Sequence, residues 1–259
     1  MQAGNEILTR AGRGSIAYRR GAGADGPAGS AARPGVVFLG GFMSDMTGAK
    51  AEWLEGFTRN TGLPYLRFDY SGHGASEGAF TDGTIGGWLG DVLDVLDRLT
   101  EGPQVLVGSS MGGWLALLAA LRRPARVRGI VGIAAATDFT EDLIHNELSV
   151  DERAALMRDG IIHQPSDYGE APYPITRNLI EEARSHLLLR APIAVHCPVH
   201  LLQGLADPDV PWRTAIRILE QVESSSAAAT LIKDGDHRLS RPEDLERLGA
   251  AIMTVIDTA

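Results

Sequence analysis

Val105-Leu106-Val107-Gly108-Ser109-Ser110-Met111-Gly112-Gly113-Trp114 decides the fold. An apolar run enters Gly-x-Ser-x-Gly, and a helical pattern continues from Trp114 to Leu121. In a strand–turn–helix setting that motif places a serine on a sharp, strained turn with its hydroxyl exposed. The flanking glycines leave room for strand and helix backbones to pass close. Two serines compete for the position. Ser110 has Gly108 and Gly112 at the required offsets, whereas Ser109 would place Val107 where a glycine is needed. Ser110 is therefore the expected nucleophile; without chemistry, the same stretch would be only a tight strand-to-helix turn.

Outward from this stretch, short apolar runs alternate with longer amphipathic ones, the rhythm of strand–helix–strand units and a mostly parallel sheet. Strands are predicted at 15–20, 35–40, 65–70, 104–109, 128–135, 198–204 and 229–233. Helices are predicted at 48–60, 84–100, 110–121, 211–222 and 241–256, the last capped by Ser240 with Glu243 answering it. Residues 21–34 form a Gly, Ala, Ser and Pro loop. Residues 136–192 are too long for an ordinary connection, with weak helical patches at 138–148, 151–159 and 178–189. Long excursions in compact domains are usually lids or binding loops. One α/β domain with an inserted cap at 136–192 is expected.

A serine hydroxyl needs a base, and the base needs an orienting acid. His237 lies late in the chain, in Lys233-Asp234-Gly235-Asp236-His237-Arg238, just beyond a strand. His196 and His200 flank a buried strand and read as structural, as does His73 in a Gly-rich loop. His145, His163 and His186 fall in the long segment as surface or pocket wall. The acid is expected in the loop after 198–204, where Asp207 comes first and Asp209 is the alternative. An oxyanion hole needs two backbone N–H donors. Met111 follows the nucleophile, and Phe42 follows Gly40-Gly41 in an early loop.

Together these motifs resemble the α/β-hydrolase superfamily over nearly the whole chain. Gly40-Gly41-Phe42-Met43-Ser44-Asp45-Met46, Arg67-Phe68-Asp69-Tyr70-Ser71-Gly72-His73-Gly74-Ala75-Ser76, Val210-Pro211-Trp212 and Asp236-His237-Arg238 narrow it. They are similar to the group of palmitoyl-protein thioesterases also described as mycophenolic acid acyl-glucuronide esterases, α/β-hydrolase domain-containing protein ten. The resemblance implies a Ser110–Asp207–His237 triad that hydrolyses acyl thioesters or esters without a cofactor. A carbon–carbon bond hydrolase or a perhydrolase on the same triad is the alternative, as is a non-catalytic ligand-binding protein, although no triad residue is missing. A haloalkane dehalogenase would need a carboxylate at 110, and a peptidase of this fold usually adds a large domain.

Composition excludes other classes. The 259 residues are 44% hydrophobic and 22% charged, ordinary for a chain that buries a full core. With 24 basic and 33 acidic residues the formal net charge is −9, which argues against nucleic acid as a partner. A small-molecule or acylated substrate is expected instead. No stretch approaches the ~18 apolar residues of a membrane span. The lone Cys197 precludes an intrachain disulfide. Lysine occurs only at 50 and 233, an arginine bias of coding origin. No metal is expected, since no His-x-x-x-His pair falls in a helix beside a carboxylate. Gly83-Thr84-Ile85-Gly86-Gly87 lacks the Lys-Ser/Thr end of a phosphate loop. Residues 1–20 hold no apolar leader and include Glu6, so a cytoplasmic location is expected. Met43, Phe139, Leu143 and Tyr173 are candidates to line a substrate pocket, with Leu148, Met157 and Tyr168 as further possibilities.

Overall fold

A computed structural model describes residues 4–21, 33–165 and 172–258. The first half runs β1 (Glu6–Arg10), β2 (Arg13–Arg20), β3 (Gly35–Leu39), α1 (Ala49–Thr61), β4 (Tyr65–Phe68), α2 (Ile85–Leu99), β5 (Gln104–Ser109), α3 (Met111–Arg122) and β6 (Val127–Ile133). The second half runs α4 (Val150–Asp159), β7 (Ile161–Gln164), β8 (Tyr173–Thr176), α5 (Arg177–Ala183), β9 (Val199–Gly204), α6 (Arg213–Gln221), β10 (Ala227–Ile232) and α7 (Pro242–Thr258).

Eight strands form one sheet in the order β1-β2-β4-β3-β5-β6-β9-β10. The pairs β1–β2 and β2–β4 are antiparallel, and every other neighbouring pair is parallel. Parallel strands are covered on both faces and so have no reason to alternate polar with apolar residues. β3, β4 and β5 are accordingly buried at every position. Successive side chains point to opposite faces. Val36 and Phe38 pack in one core with Leu54 of α1 and Ile252 of α7; Val37 and Leu39 pack in the other with Trp88 of α2 and Leu115 of α3. This is the expected α/β architecture, a mostly parallel sheet flanked by helices.

Three expectations are corrected. β1 precedes the strand expected to be first; its residues are exposed except Leu8 and Arg10, so it carries little apolar signal. The segment between β6 and β9 holds a small antiparallel sheet, β7–β8, besides α4 and α5. Ser240 does not cap α7. Pro242 opens that helix, a position where its missing N–H costs nothing, and the Ser240 hydroxyl donates to the Arg238 carbonyl at 3.0 Å. A full capping box occurs instead at Ser149 and Glu152, before α4. Of the loop expected at 21–34, residues 22–32 lie outside the described residues, as does Tyr168.

Buried Asp138 fastens the β6–β9 segment to the body. It accepts from the Leu188 and Leu189 amides at 2.8 Å each, and Asp142 pairs with Arg190 and Arg217. Among the described residues no helix is long and apolar enough to cross a membrane.

Candidate active site

Ser110 occupies the turn between β5 and α3 with φ 54 and ψ −119, a conformation that L-residues avoid. Backbone hydrogen bonds hold it there. Its N–H donates to Ile133 at 2.8 Å, and its carbonyl accepts from Gly113 and Ala136 at 2.9 and 3.0 Å. The glycines are required by close approach. A Cβ at Gly108 would lie 2.3 Å from the Gly112 carbonyl oxygen, and one at Gly112 would lie 2.1 Å from that of Leu39. Both obstacles are backbone and cannot swing away. Gly112→Ala is therefore expected to destabilise the fold by about 3 kcal/mol, an overpacking penalty readable as a lowered denaturant midpoint. An unchanged midpoint would show that the turn is slack.

His237 follows β10 on a turn whose shape is held by the Leu239 amide on Asp236 Oδ1 at 2.8 Å. Leu239 itself sits at φ 44. From α1, Lys50 Nζ reaches over to donate to the Arg238 carbonyl at 2.6 Å. Burial lowers the Lys50 ammonium to about 8, with Asp236 pulling it back up. His237 Nδ1 lies 2.9 Å from Asp207 Oδ2. Asp207 is buried, and its Oδ1 accepts from the amides of Asp209 and Val210 at 2.9 Å each. Burial alone would push this carboxyl up, but the His237 hydrogen bond and charge, with the two amides, hold it below the usual carboxylate range. The expected base and the first of the two expected acids are thus in contact.

The Gly-Gly-Phe loop runs against Ser110: a Cβ at Gly41 would lie 3.4 Å from the Ser110 Cβ. Its far end is clamped at Met46, whose N–H donates to Asp69 Oδ1 at 2.7 Å and whose carbonyl accepts from Arg67 at 2.9 Å. The Phe42 ring makes edge contacts with Phe80, Trp88, Phe139 and Tyr173. Met111 is the first residue of α3, and the first amides of a helix have no partner within it.

A cavity of about 600 Å³ joins these parts, within the usual range for ligand pockets. Ser110, Met111, Phe42, Met43, Phe139, Leu143, Tyr173 and His237 all line it, and Asp207 stands behind His237. Leu148 packs instead in a small core with Leu156, Ile162, Ile175 and Ile180, and Met157 is exposed and lines a separate, smaller pocket. Ile144, Gln164 and Ile175, from the segment between β6 and β9, also line the main cavity, as do Asp45, Lys50 and Arg238. Sequence reasoning did not assign these, since Lys50 comes from a distant helix and Ile175 from an unforeseen strand. Among the described residues no other histidine lines the cavity. His73 is buried among Tyr70, Phe80 and Trp88, and His186 pairs with Glu182 at 2.7 Å. The half-buried Cys197 thiol is pushed up to about 11 by burial, far from the reactive range. Asp207, Asp209 and His237 bring one possible metal-ligand atom each within 4.8 Å of one another. Asp207, however, already accepts from N–H donors on both oxygens, which suits an imidazole partner better than a cation.

A family model described as the alpha/beta hydrolase fold matches residues 34–166. The chain belongs to the α/β-hydrolase family. Within it, the chain is 42% identical over 225 residues to the palmitoyl-protein thioesterase ABHD10, mitochondrial, of Bos taurus, covering 86% of this chain and 73% of that protein. Among solved structures, a putative hydrolase from Agrobacterium vitis S4 superposes with a TM-score of 0.90 at 43% identity, covering 98% of each chain. The alpha/beta hydrolase domain-containing protein 10 from mouse superposes with a TM-score of 0.88 at 38% identity, covering 99% of each. The names overturn the expected cytoplasmic location, because the bovine, rat and human relatives are all named mitochondrial. Residues Glu6–Arg10 and Arg13–Arg20 are strands of the main sheet, so their composition reflects the fold and says nothing of location.

Proposed function

We propose that this α/β-hydrolase cleaves acyl thioesters and carboxylic esters through a serine-bound acyl intermediate. The observation that carries the reading is a single cavity with Ser110 on a strained turn and, in its wall, His237 backed by Asp207 at 2.9 Å. Similarity to proteins named palmitoyl-protein thioesterase supports the substrate class.

In the proposed reaction His237 takes the proton from Ser110 Oγ as that oxygen attacks the acyl carbonyl. Asp207 holds the imidazole in the tautomer with its proton on Nδ1 and stabilises the imidazolium that forms. The Phe42 and Met111 amides receive the oxyanion. The tetrahedral species collapses, His237 returns its proton to the departing thiolate or alkoxide, and the acyl group remains on Ser110. Water, deprotonated by His237, then attacks the ester and releases the carboxylic acid and free serine.

The segment from 136 to 192 serves in this reading as a cap, and its Phe139, Leu143, Ile144, Tyr173 and Ile175 form the acyl wall with Phe42. Each methylene moved from water to such a wall gains about 0.8 kcal/mol, about a fourfold step in kcat/KM. The test is an acyl series from two to sixteen carbons, each offered as thioester and as ester. Rising kcat/KM with chain length and turnover of the thioesters is the expected result. A sharp preference for two-carbon esters, with thioesters untouched, would overturn it.

A further inference from the structure

Gln203 sits near the end of β9 with its side chain fully buried, an unusual polar residue inside a covered parallel strand. Its Nε2 faces three acceptors: Asp207 Oδ2 at 3.0 Å, Val210 O at 3.1 Å and Gly204 O at 3.2 Å. Its Oε1 is buried with no hydrogen-bond partner. Turning the amide over would set the oxygen against three acceptors, so the network fixes which end faces Asp207. A buried acceptor without a donor is costly, and a leucine would fill the same space with no polar atoms to satisfy. What the glutamine supplies and leucine cannot is N–H donation to Asp207 Oδ2 and to the Val210 and Gly204 carbonyls.

The N–H given to Asp207 completes the shell of the acid. Asp207 Oδ1 accepts from two backbone amides, and Oδ2 accepts from His237 Nδ1 and Gln203 Nε2. Four N–H donors occupy the positions a carboxylate offers. We infer that Gln203 is a positioning residue for the hydrolytic reaction, holding Asp207 in one rotation with Oδ2 aimed at His237 Nδ1. The inference rests on the proposed roles of Ser110, His237 and Asp207. Gln203 acts through Asp207 and is not in the wall of the cavity. The same amide, by holding the Val210 carbonyl, sets the loop that supplies the other two donors to Asp207.

The experiment compares Gln203→Leu and Gln203→Glu with the wild type in kcat, KM, the pH profile of kcat/KM and melting temperature, on one activated thioester. Other titratable groups around the pair stay in place: Asp209 beside Asp207, and Asp236, Arg238 and Lys50 around the His237 turn. Gln203→Leu is expected to lower kcat about tenfold or more, the worth of a hydrogen bond to a charged group, with KM within twofold. The acid limb of its kcat/KM profile should move to higher pH, because a carboxylate with one donor fewer attracts a positive imidazole more strongly.

Gln203→Glu keeps the shape. Facing three acceptors in a buried site, the new carboxyl is held protonated and donates to Asp207 as the amide does. Activity near that of the wild type at neutral pH is expected, with a new alkaline limb where ionisation of the introduced carboxyl removes the donor. Wild-type kcat and pH limits in both variants would overturn the inference, as would an equal, pH-independent loss in the glutamate variant. If the leucine variant does not fold, the glutamate profile decides alone. Fluorophosphonate labelling of Ser110 in the wild type is scored in parallel. Labelling present with unaltered activity in the Gln203 variants defeats the Gln203 role only, whereas labelling absent defeats the triad reading and this inference with it.

Discussion

Ser110→Ala is expected to abolish covalent labelling by a fluorophosphonate probe and to lower kcat by roughly 10⁶-fold, the scale of losing a nucleophile from a preorganised serine site. The fold should survive. Alanine meets the same backbone strain as serine at φ 54, and the three hydrogen bonds that hold the turn are made by backbone atoms. Melting temperatures of the two proteins should therefore nearly coincide, which separates loss of chemistry from loss of structure. Ser110→Gly sharpens the contrast. Glycine pays little for a positive φ, so that variant should be as inactive as the alanine form yet about 1 kcal/mol more stable. Ser109→Ala is the control for the neighbouring hydroxyl. Its side chain belongs to the last residue of β5, and its loss should leave labelling intact. Labelling that persists in Ser110→Ala and vanishes in Ser109→Ala would sink the assignment.

Much of this architecture is legible in the chain, for a physical reason. A parallel strand buried on both faces is a largely apolar run, and β3, β5, β6 and β9 are mostly apolar. Glycines at 108 and 112 are equally direct, because the contacts that forbid a Cβ there are made by neighbouring backbone. Legibility fails where local pattern and tertiary role separate. β1 is an antiparallel edge strand with most side chains in water, so nothing in Glu6-Ile7-Leu8-Thr9-Arg10 marks it. β7 and β8 are four residues each and contain His163 and Pro174, a composition that reads as loop. Asp207 and Asp209 lie on the same short loop, and spacing cannot choose between them; the 2.9 Å contact of Asp207 Oδ2 with His237 Nδ1 is a tertiary fact that no local pattern carries. Lys50 reaches the His237 turn across 188 residues of sequence. Gln203 did leave a mark, one amide in Val199-His200-Leu201-Leu202-Gln203-Gly204, and a polar residue in a strand of that kind is a question about its partner.

The choice between the two acids yields the second large effect. Asp207→Asn is expected to lower kcat/KM by about 10⁴-fold at neutral pH. An asparagine has one oxygen and one NH₂ where Asp207 has two acceptors. With the NH₂ on the Oδ1 side it meets the Asp209 and Val210 amides, donor against donor. On the Oδ2 side it meets Gln203 Nε2 and forces His237 to accept on Nδ1, which leaves the proton on Nε2 and removes the base from Ser110. Either orientation sets the NH₂ against N–H donors and costs about 1–3 kcal/mol of stability besides the activity. The acid side of the stability curve should change as well. The Asp207 carboxyl is held below its ordinary range in the fold, so its contribution is present above that range and is lost as pH falls through the folded value. Asparagine has nothing to titrate, so the variant should be less stable at neutral pH and should lose less on acidification. Asp209 acts on Asp207 through its backbone amide, which asparagine retains, so Asp209→Asn should stay within about threefold of wild-type kcat/KM, too little to count as loss of the acid. If Asp209→Asn is the crippled variant and Asp207→Asn the mild one, the acid is Asp209, and the hydrogen bond from His237 Nδ1 to Asp207 serves structure alone.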